Sequence, residues 1–470
     1  DELYIPLTYT VWWGLVQVAS EPTVGGVSID PTVFHAANVV LHAASAVAVF
    51  WLLRRLVAND WAACAGAALF ALHPVQVESV AWISGLKDVL SGLLCIIALD
   101  QYVAFAQRRT PAARLHYLAC ALAFAAAMLA KPAAVVLPAM ALLIDWLALR
   151  RAPRAVLRSI IPLAILAIPC VIWTSAAQPT NLVTTKLPAM YRPLVALDAL
   201  SFYLAKLFVP IRLSIDYGRS PIFAIHYGWL WWTWVFPVAL AVVLLRLANR
   251  LPLIVCGAAL FVAALLPVLG LRPFGFQRVS TVADHYMYLP MLGVSLALAA
   301  TMARCTRWFA AIAVLALIAL AWRARDQASI WSTNRGPYEQ ALRVNPRSYL
   351  ACNNLAAVAL GEQRPEEAER LARRAMEVGS AFPEIHMMLG IALDRQRKVE
   401  QAIESFERGI ALDPNDAEAH TLLGAAYGKL GRYDRAVEHL QTALRIDPNH
   451  AGARRMLPAA IQRRDARPSG

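Results

Sequence analysis

The sequence predicts an all-α protein: a polytopic bundle of membrane helices followed by a soluble α-solenoid. Three observations carry this. Of 470 residues, 59% are hydrophobic, and the mean hydropathy is +0.51, which is high for a soluble chain of this length. Several apolar runs approach the ~20 residues needed to cross a bilayer. Beyond Asn334 the pattern becomes charged, Ala-rich and periodic.

Residues 1–33 read as an extracytoplasmic loop, the end of a first outer loop whose preceding span is missing. The segment is polar, contains Pro and Tyr, and carries no signal-peptide pattern. Candidate spans follow at 34–54, 62–83, 88–106, 115–131, 132–149, 156–174, 229–247, 252–270, 287–303 and 308–322, which makes a transmembrane domain over 34–325 of about ten spans. The second span is bent at His73-Pro74. Lys131-Pro132 divides one long apolar stretch in two, because proline and a charge together end a span more easily than they sit inside it.

Basic loops set the orientation. Arg54-Arg55, Arg108-Arg109 and the Arg150–Arg158 cluster belong in the cytoplasm. His35, the His73–Asp88 segment, Lys131 and the 175–195 loop then fall on the outer face. The segment near 196–212 carries Lys206, Pro210 and Arg212 and reads as re-entrant or interfacial. That choice keeps Arg272–His285 outside and makes the C-terminal domain extracytoplasmic.

In that domain Leu355, Leu389 and Leu423 recur 34 residues apart, as do Ala368, Ala402 and Ala436. Pro414 and Pro448 end two units, and Ser380 replaces the proline of the first. Small residues let paired helices approach, and the proline closes each unit. The pattern resembles the tetratricopeptide repeat, with repeats at 349–382, 383–416 and 417–450 inside a 334–464 region that includes flanking helices.

A net charge of +13 would suggest nucleic acid in a soluble protein. Here the arginines sit beside apolar runs, as membrane topology requires, and no nucleic-acid partner is expected. The seven cysteines show no paired spacing, so no disulfide framework or zinc site is read from them. There is no Gly-rich phosphate loop and no nucleophile elbow. His73 with Glu78 makes a poor metal pair.

The polar groups at the membrane boundary are the candidates for chemistry. Charge beside hydrocarbon is costly and is usually kept for function. After Pro74, Glu78 and Trp82 are spaced i, i+4 on a short interfacial helix, offering an acceptor beside an aromatic shelf. Lys87 and Asp88 open the next span, where a helix N-terminus favours anions. The alternative is that Asp88 caps its helix, Lys87 snorkels and Trp82 belongs to an aromatic belt. His35, Asn38 and His42 line one face of the first span, either as a cavity wall or as interhelical glue. The late loop brings Arg278, Asp284, His285 and Tyr286 to the same face. Arg278 suits a phosphate clamp, with Lys131 as a second contact from another helix.

Four stretches, FHAANVVLHA, LFALHPVQVESVAWISGLKDVLSGLL, MLAKPAAVVLPAMALLIDWL and VADHYMYLPMLG, resemble the TMTC family of transmembrane and tetratricopeptide-repeat proteins, which are similar to protein O-mannosyltransferases. The resemblance implies a GT-C fold and a glycosyltransferase. It implies transfer of a mannose-like sugar from a polyprenyl-phosphate donor to a protein hydroxyl outside the cytoplasm. It also implies an acidic residue in the first outer loop, acting as base or at a divalent metal. DELYIPLTYT matches the end of that loop, so Asp1 and Glu2 are not assigned the role. The family pattern has Arg where this chain has His285, and an Arg or Lys pair where it has Leu86-Lys87.

The expected site therefore comprises Glu78 and Asp88 as catalytic groups. His73, Trp82, Lys87, Lys131, Arg278, Asp284, His285 and Tyr286 would bind substrate, and His35 and Asn38 would line the cavity. The repeats would hold a protein or peptide acceptor in their groove. The rival expectations are a non-catalytic membrane scaffold and transfer to a glycan or lipid. The Ala- and Arg-rich composition suggests a bacterial inner membrane with periplasmic repeats.

Overall fold

The computed structural model describes residues 5–23, 26–108, 110–177 and 187–466. The chain divides into two compact units, Asp1–Ile215 with Arg219–Ser332, and Asp216–Gly218 with Thr333–Gly470.

The first unit is a helix bundle. Among its described residues, seven helices are long and apolar enough to cross a membrane: Pro31–Val57, Ile83–Gln107, Ala112–Ala130, Pro132–Leu149, Pro153–Ala177, Trp229–Leu247 and Trp308–Ile330. Asp60–Leu72, Pro252–Val268 and Met291–Met302 are apolar but shorter. The Leu86–Gln107 helix forms the centre, with Cys95, Ile96, Leu99 and Val103 fully buried. It packs against Pro31–Val57 on one side and Ala112–Ala130 on the other. The peripheral helices expose Ile172, Trp173, Val243, Ile318 and Trp322, as helices facing hydrocarbon do.

Local breaks fall where helix chemistry places them. Asp60–Leu72 stops at His73, and Pro74–Gln76 continues as a tight turn. Ala112–Ala130 stops at Lys131, and Pro132–Val136 does the same. In both places proline removes a donor and blocks the turn before it. Asp30 opens the Pro31–Val57 helix by accepting the Thr32 amide at 2.8 Å.

Three elements differ from expectation. The segment read as an outer loop contains a helix, Pro6–Ala19, and an antiparallel pair, Ser20–Thr23 with Gly26–Ile29. Thr8 in this helix donates to the Ala130 carbonyl at 2.9 Å, so tertiary contact holds a stretch too short to announce itself. The last apolar helix, Arg307–Ile330, runs beyond 322 into a charged turn. The 196–212 region forms the 17-residue helix Arg192–Phe208, with Asp198, Ala199 and Tyr203 buried while Phe208 is 76% exposed.

The second unit stacks antiparallel helix pairs: Tyr349–Gly361 with Pro365–Gly379, Pro383–Arg395 with Val399–Leu412, and Ala417–Lys429 with Tyr433–Ile446. Gly336–Val344 precedes them and Ala451–Asp465 closes the stack. The recurring alanines Ala368, Ala402 and Ala436 are buried between paired helices, which explains their period. His386 and His420, one repeat apart, each donate Nε2–H to a carbonyl of the preceding turn, Ser380 at 2.8 Å and Pro414 at 3.2 Å.

Glu369 ties two repeats together. Burial opposes its charge, but bonds from Lys398 at 2.9 Å, from Arg373, and from Gln396 at 2.8 Å hold the carboxyl down at about 2. A depressed carboxyl contributes stability that is fully present above its unfolded value, about 4.5, and is lost as pH falls through about 2. Hydrogen exchange on the full chain should show protection of Pro365–Gly379 and Pro383–Arg395 falling across that window. Glu369→Gln should cost about 1 kcal/mol at neutral pH and remove most of this pH dependence.

Candidate functional site

Two distant stretches of sequence supply the Glu78–His285 pair, and the helix break at Lys131 adds a third part of the site. One stretch is the turn between Asp60–Leu72 and Leu86–Gln107. The other is the loop between Pro252–Leu265 and Met291–Met302.

In the first stretch, Val77–Ala81 is a five-residue helix with Glu78 in its first turn. The Trp82 amide donates to the Glu78 carbonyl at 3.0 Å, one helical turn away, and the chain leaves the helix at Trp82 in an extended conformation. The backbone is held from outside. Asn38, fully buried on the first long helix, donates Nδ2–H to the Val80 carbonyl at 3.1 Å and the Trp82 carbonyl at 3.0 Å. Asn38→Leu would strand both carbonyls. It should cost about 2 kcal/mol and lower the melting temperature of the detergent-solubilised protein, whereas the half-buried His35 changed to Leu should leave it nearly unaltered.

In the second stretch, Asp284–Met287 forms a tight turn. Asp284 is buried and accepts the Ser214 amide at 3.2 Å, so it anchors the loop. The turn delivers His285 to Glu78: Nδ1 lies 2.5 Å from Glu78 Oε1. Glu78 is 4% exposed, and its second oxygen, Oε2, is buried without a hydrogen-bond partner. Such an atom is expensive, because a carboxylate oxygen away from water forfeits its solvation.

A second ion pair stands beside the dyad. Lys131, at the break between two helices, binds the buried Asp88, and its ammonium lies 5.6 Å from the centre of the Tyr286 ring. Lys87 is half-buried and within electrostatic reach of both Asp88 and Lys131. Asp88, Lys131 and Tyr286 border a small cavity of about 40 Å³, lined also by Ser91, His285 and Tyr288, among others. Tyr288 is held by His42 Nδ1 at 3.0 Å, and His42 Nε2 donates to the Ala71 carbonyl at 3.1 Å, so His42 fixes a wall rather than facing the cavity.

Not every expected residue joins this cluster. Both ring nitrogens of His73 are engaged by backbone, Nε2 with the Leu207 carbonyl at 3.2 Å and Nδ1 with the Val75 amide at 3.4 Å. The ring is a tether between segments. Arg278 is exposed at the end of the Gly275–Arg278 turn and does not line the cavity. Trp82 is not among the lining residues and meets His285 edge-on, 6.0 Å between ring centres.

Two residues enter that the sequence did not single out. Gln76 is 2% exposed, and both its amide atoms are buried without partners. Trp331 packs 6.4 Å from Trp82. Gln76 lies inside the polar His73–Asp88 run, so its signal was present but undivided. No group of three or more His, Cys, Asp or Glu among the described residues is placed to hold a metal ion.

The arrangement can do two things. Glu78 and His285 can move a proton from a hydroxyl placed beside them. Lys131 can stabilise developing negative charge.

Comparison with known proteins bears on the repeats. The family model described as tetratricopeptide repeat matches residues 387–451. Protein O-mannosyl-transferase Tmtc2 of Drosophila melanogaster is 35% identical over 82 residues, 17% of this chain and 8% of that protein. Protein O-mannosyl-transferase TMTC1 of Mus musculus is 40% identical over 75 residues, 16% of this chain and 8% of that protein. The match thus spans less than a tenth of these relatives, and it falls in the repeat region. Among solved structures, MamA covers 30% of this chain and 76% of its own at 22% identity and a TM-score of 0.27. YrrB, a tetratricopeptide-repeat protein, covers 31% and 78% at 23% identity and a TM-score of 0.26. The chain is a helical membrane protein ending in tetratricopeptide repeats, and in those repeats it is similar to the TMTC O-mannosyl-transferases.

Proposed function

We propose that the membrane unit is a glycosyltransferase moving a sugar from a polyprenyl-phosphate donor to a protein hydroxyl, with the site on the extracytoplasmic face. The observation that carries this is Glu78: a buried carboxylate with one oxygen on His285, the other unpartnered, and a phosphate-compatible cation nearby. In this reading Glu78 accepts the acceptor hydroxyl's proton with His285 orienting it. The hydroxyl oxygen then attacks the anomeric carbon as the lipid phosphate leaves. Lys131 releases Asp88 in part to meet the departing phosphate, and Tyr286 shields the ammonium from water. The repeats, outside the cytoplasm in the same reading, present the acceptor segment.

The names of the similar proteins and the resemblance of the membrane motifs support a mannose-like sugar. One observation favours the scaffold reading: the matches to curated proteins lie in the repeats. A vesicle assay separates the two. Full chain reconstituted with polyprenyl-phosphate mannose and a Ser/Thr-rich peptide should transfer label to the peptide. Silence with mannose and with other sugars on the same lipid carrier would favour the scaffold.

A further inference from the structure

Arg192 is 8% exposed, yet none of its ion pairs or hydrogen bonds involves a carboxylate. Every other strongly buried charged side chain described in the bundle is acidic, and most of these meet a basic group, as Asp88, Asp100, Asp145 and Asp198 do. Arg192 meets neutral oxygens only. Its Nη1 donates to the Gly270 carbonyl at 3.5 Å and to Gln277 Oε1 at 3.2 Å. A guanidinium mostly withdrawn from water without a counter-charge is costly on general grounds. A fold tolerates that when an anion supplies the missing charge.

The surroundings repeat the signal. Because Arg192 can only donate, Gln277 must turn its oxygen toward it, which aims the amide Nε2–H elsewhere. That Nε2 is buried without a partner, and so is the Thr281 hydroxyl. Both residues are 3% exposed. They converge on Gly270, whose φ is +85: a Cβ there would lie 2.3 Å from Gln277 Nε2 and 3.2 Å from Thr281 Cγ2. Only a glycine fits there, because the Gln277 amide and the Thr281 methyl already press against its backbone. Arg192 also opens the Arg192–Phe208 helix, whose first amides add to a positive potential. Two orphaned donors and an unneutralised cation, with no carboxylate bonded to any of them, describe a receptor for a tetrahedral oxyanion.

We propose that Arg192, Gln277 and Thr281 form a phosphate-binding site, separate from the Lys131 cavity. The two are linked through the intervening loop, in which Phe274 and Phe276 pack edge-on to Tyr286 at 6.1 and 6.4 Å. The ligand is a phosphate monoester or diester, presented either on a lipid or free in solution. The site stands on the uncompensated charge and holds whether or not the bundle is a transferase.

The test is thermal melting of the purified full chain in detergent, titrated with polyprenyl monophosphate, inorganic phosphate or neutral polyprenol. Wild type should melt several degrees higher with a phosphate probe, saturably. A response to the lipid phosphate alone assigns a lipid headgroup, and a response to both phosphates assigns a free-phosphate pocket. Arg192→Met should abolish the shift. It should also raise the melting temperature without ligand, whereas a merely structural arginine would lower it. Thr281→Val and Gln277→Leu should each weaken binding about tenfold and provide the readout if Arg192→Met does not fold. An equal shift with neutral polyprenol, no shift with either phosphate, or full binding in the three variants would overturn the proposal.

Discussion

Glu78→Gln is expected to lower sugar transfer by about 10²- to 10⁴-fold while leaving the fold intact, the range that loss of a general base produces. Glutamine keeps the shape and can still meet His285, so packing around the turn survives. What it loses is the ability to take a proton. Oε2 of Glu78 is the atom at stake: buried and unpartnered, it is spare basic capacity that a structural carboxylate would have satisfied. His285→Ala should fall to a similar level. The double variant should be scarcely worse than either, because residues acting as one unit do not contribute additively. Circular dichroism and melting should match wild type within about 1 kcal/mol for Glu78→Gln. Full transfer in a well-folded Glu78→Gln protein would remove the dyad from the mechanism. Unchanged partner assembly in it, with no transfer in wild type, would instead fit a scaffold.

Local chemistry made much of the architecture legible. Pro74 and Lys131-Pro132 end helices through forces acting within one turn, so the sequence alone locates both breaks. The repeats are legible for a related reason: Leu355, Leu389 and Leu423 recur because each unit buries the same face against the next. The site is less so. Glu78 and His285 are 207 positions apart, and nothing in either stretch specifies the other. Asp88 illustrates the difficulty. Its neighbour in sequence is Lys87, but the cation that binds it is Lys131, because helix geometry points adjacent side chains to different faces. Arg192 is inconspicuous in the sequence for the converse reason. A lone arginine after a loop reads as a topology signal, and only its burial and missing counter-charge distinguish it.

Gly293→Ala should destabilise the bundle by about 3 kcal/mol, more than most single methyl additions. The Pro252–Leu265 and Met291–Met302 helices cross backbone to backbone at Gly257 and Gly293. A Cβ on Gly293 would stand 2.3 Å from the Gly257 carbonyl oxygen and 2.6 Å from the Phe261 nitrogen; one on Gly257 would stand 2.4 Å from the Gly293 carbonyl oxygen. No flexible side-chain end is available to yield, so the helices themselves must part. In a membrane this contact is close packing without a hydrophobic term behind it, and small residues are what make it possible. The consequence reaches the site. Ala264 and Val268 line the cavity from the end of one helix, and Leu289 and Pro290 from the start of the other. Separating the pair therefore widens the wall that carries Tyr286. Gly14→Ala supplies the control, since a Cβ there meets nothing within 4 Å. In that helix alanine should be neutral or stabilising by up to about 1 kcal/mol, through the lower backbone entropy of its unfolded chain. Opposite signs at two helical glycines, read as melting temperatures in detergent, would establish the crossing. Equal effects would mean that the two helices do not meet there.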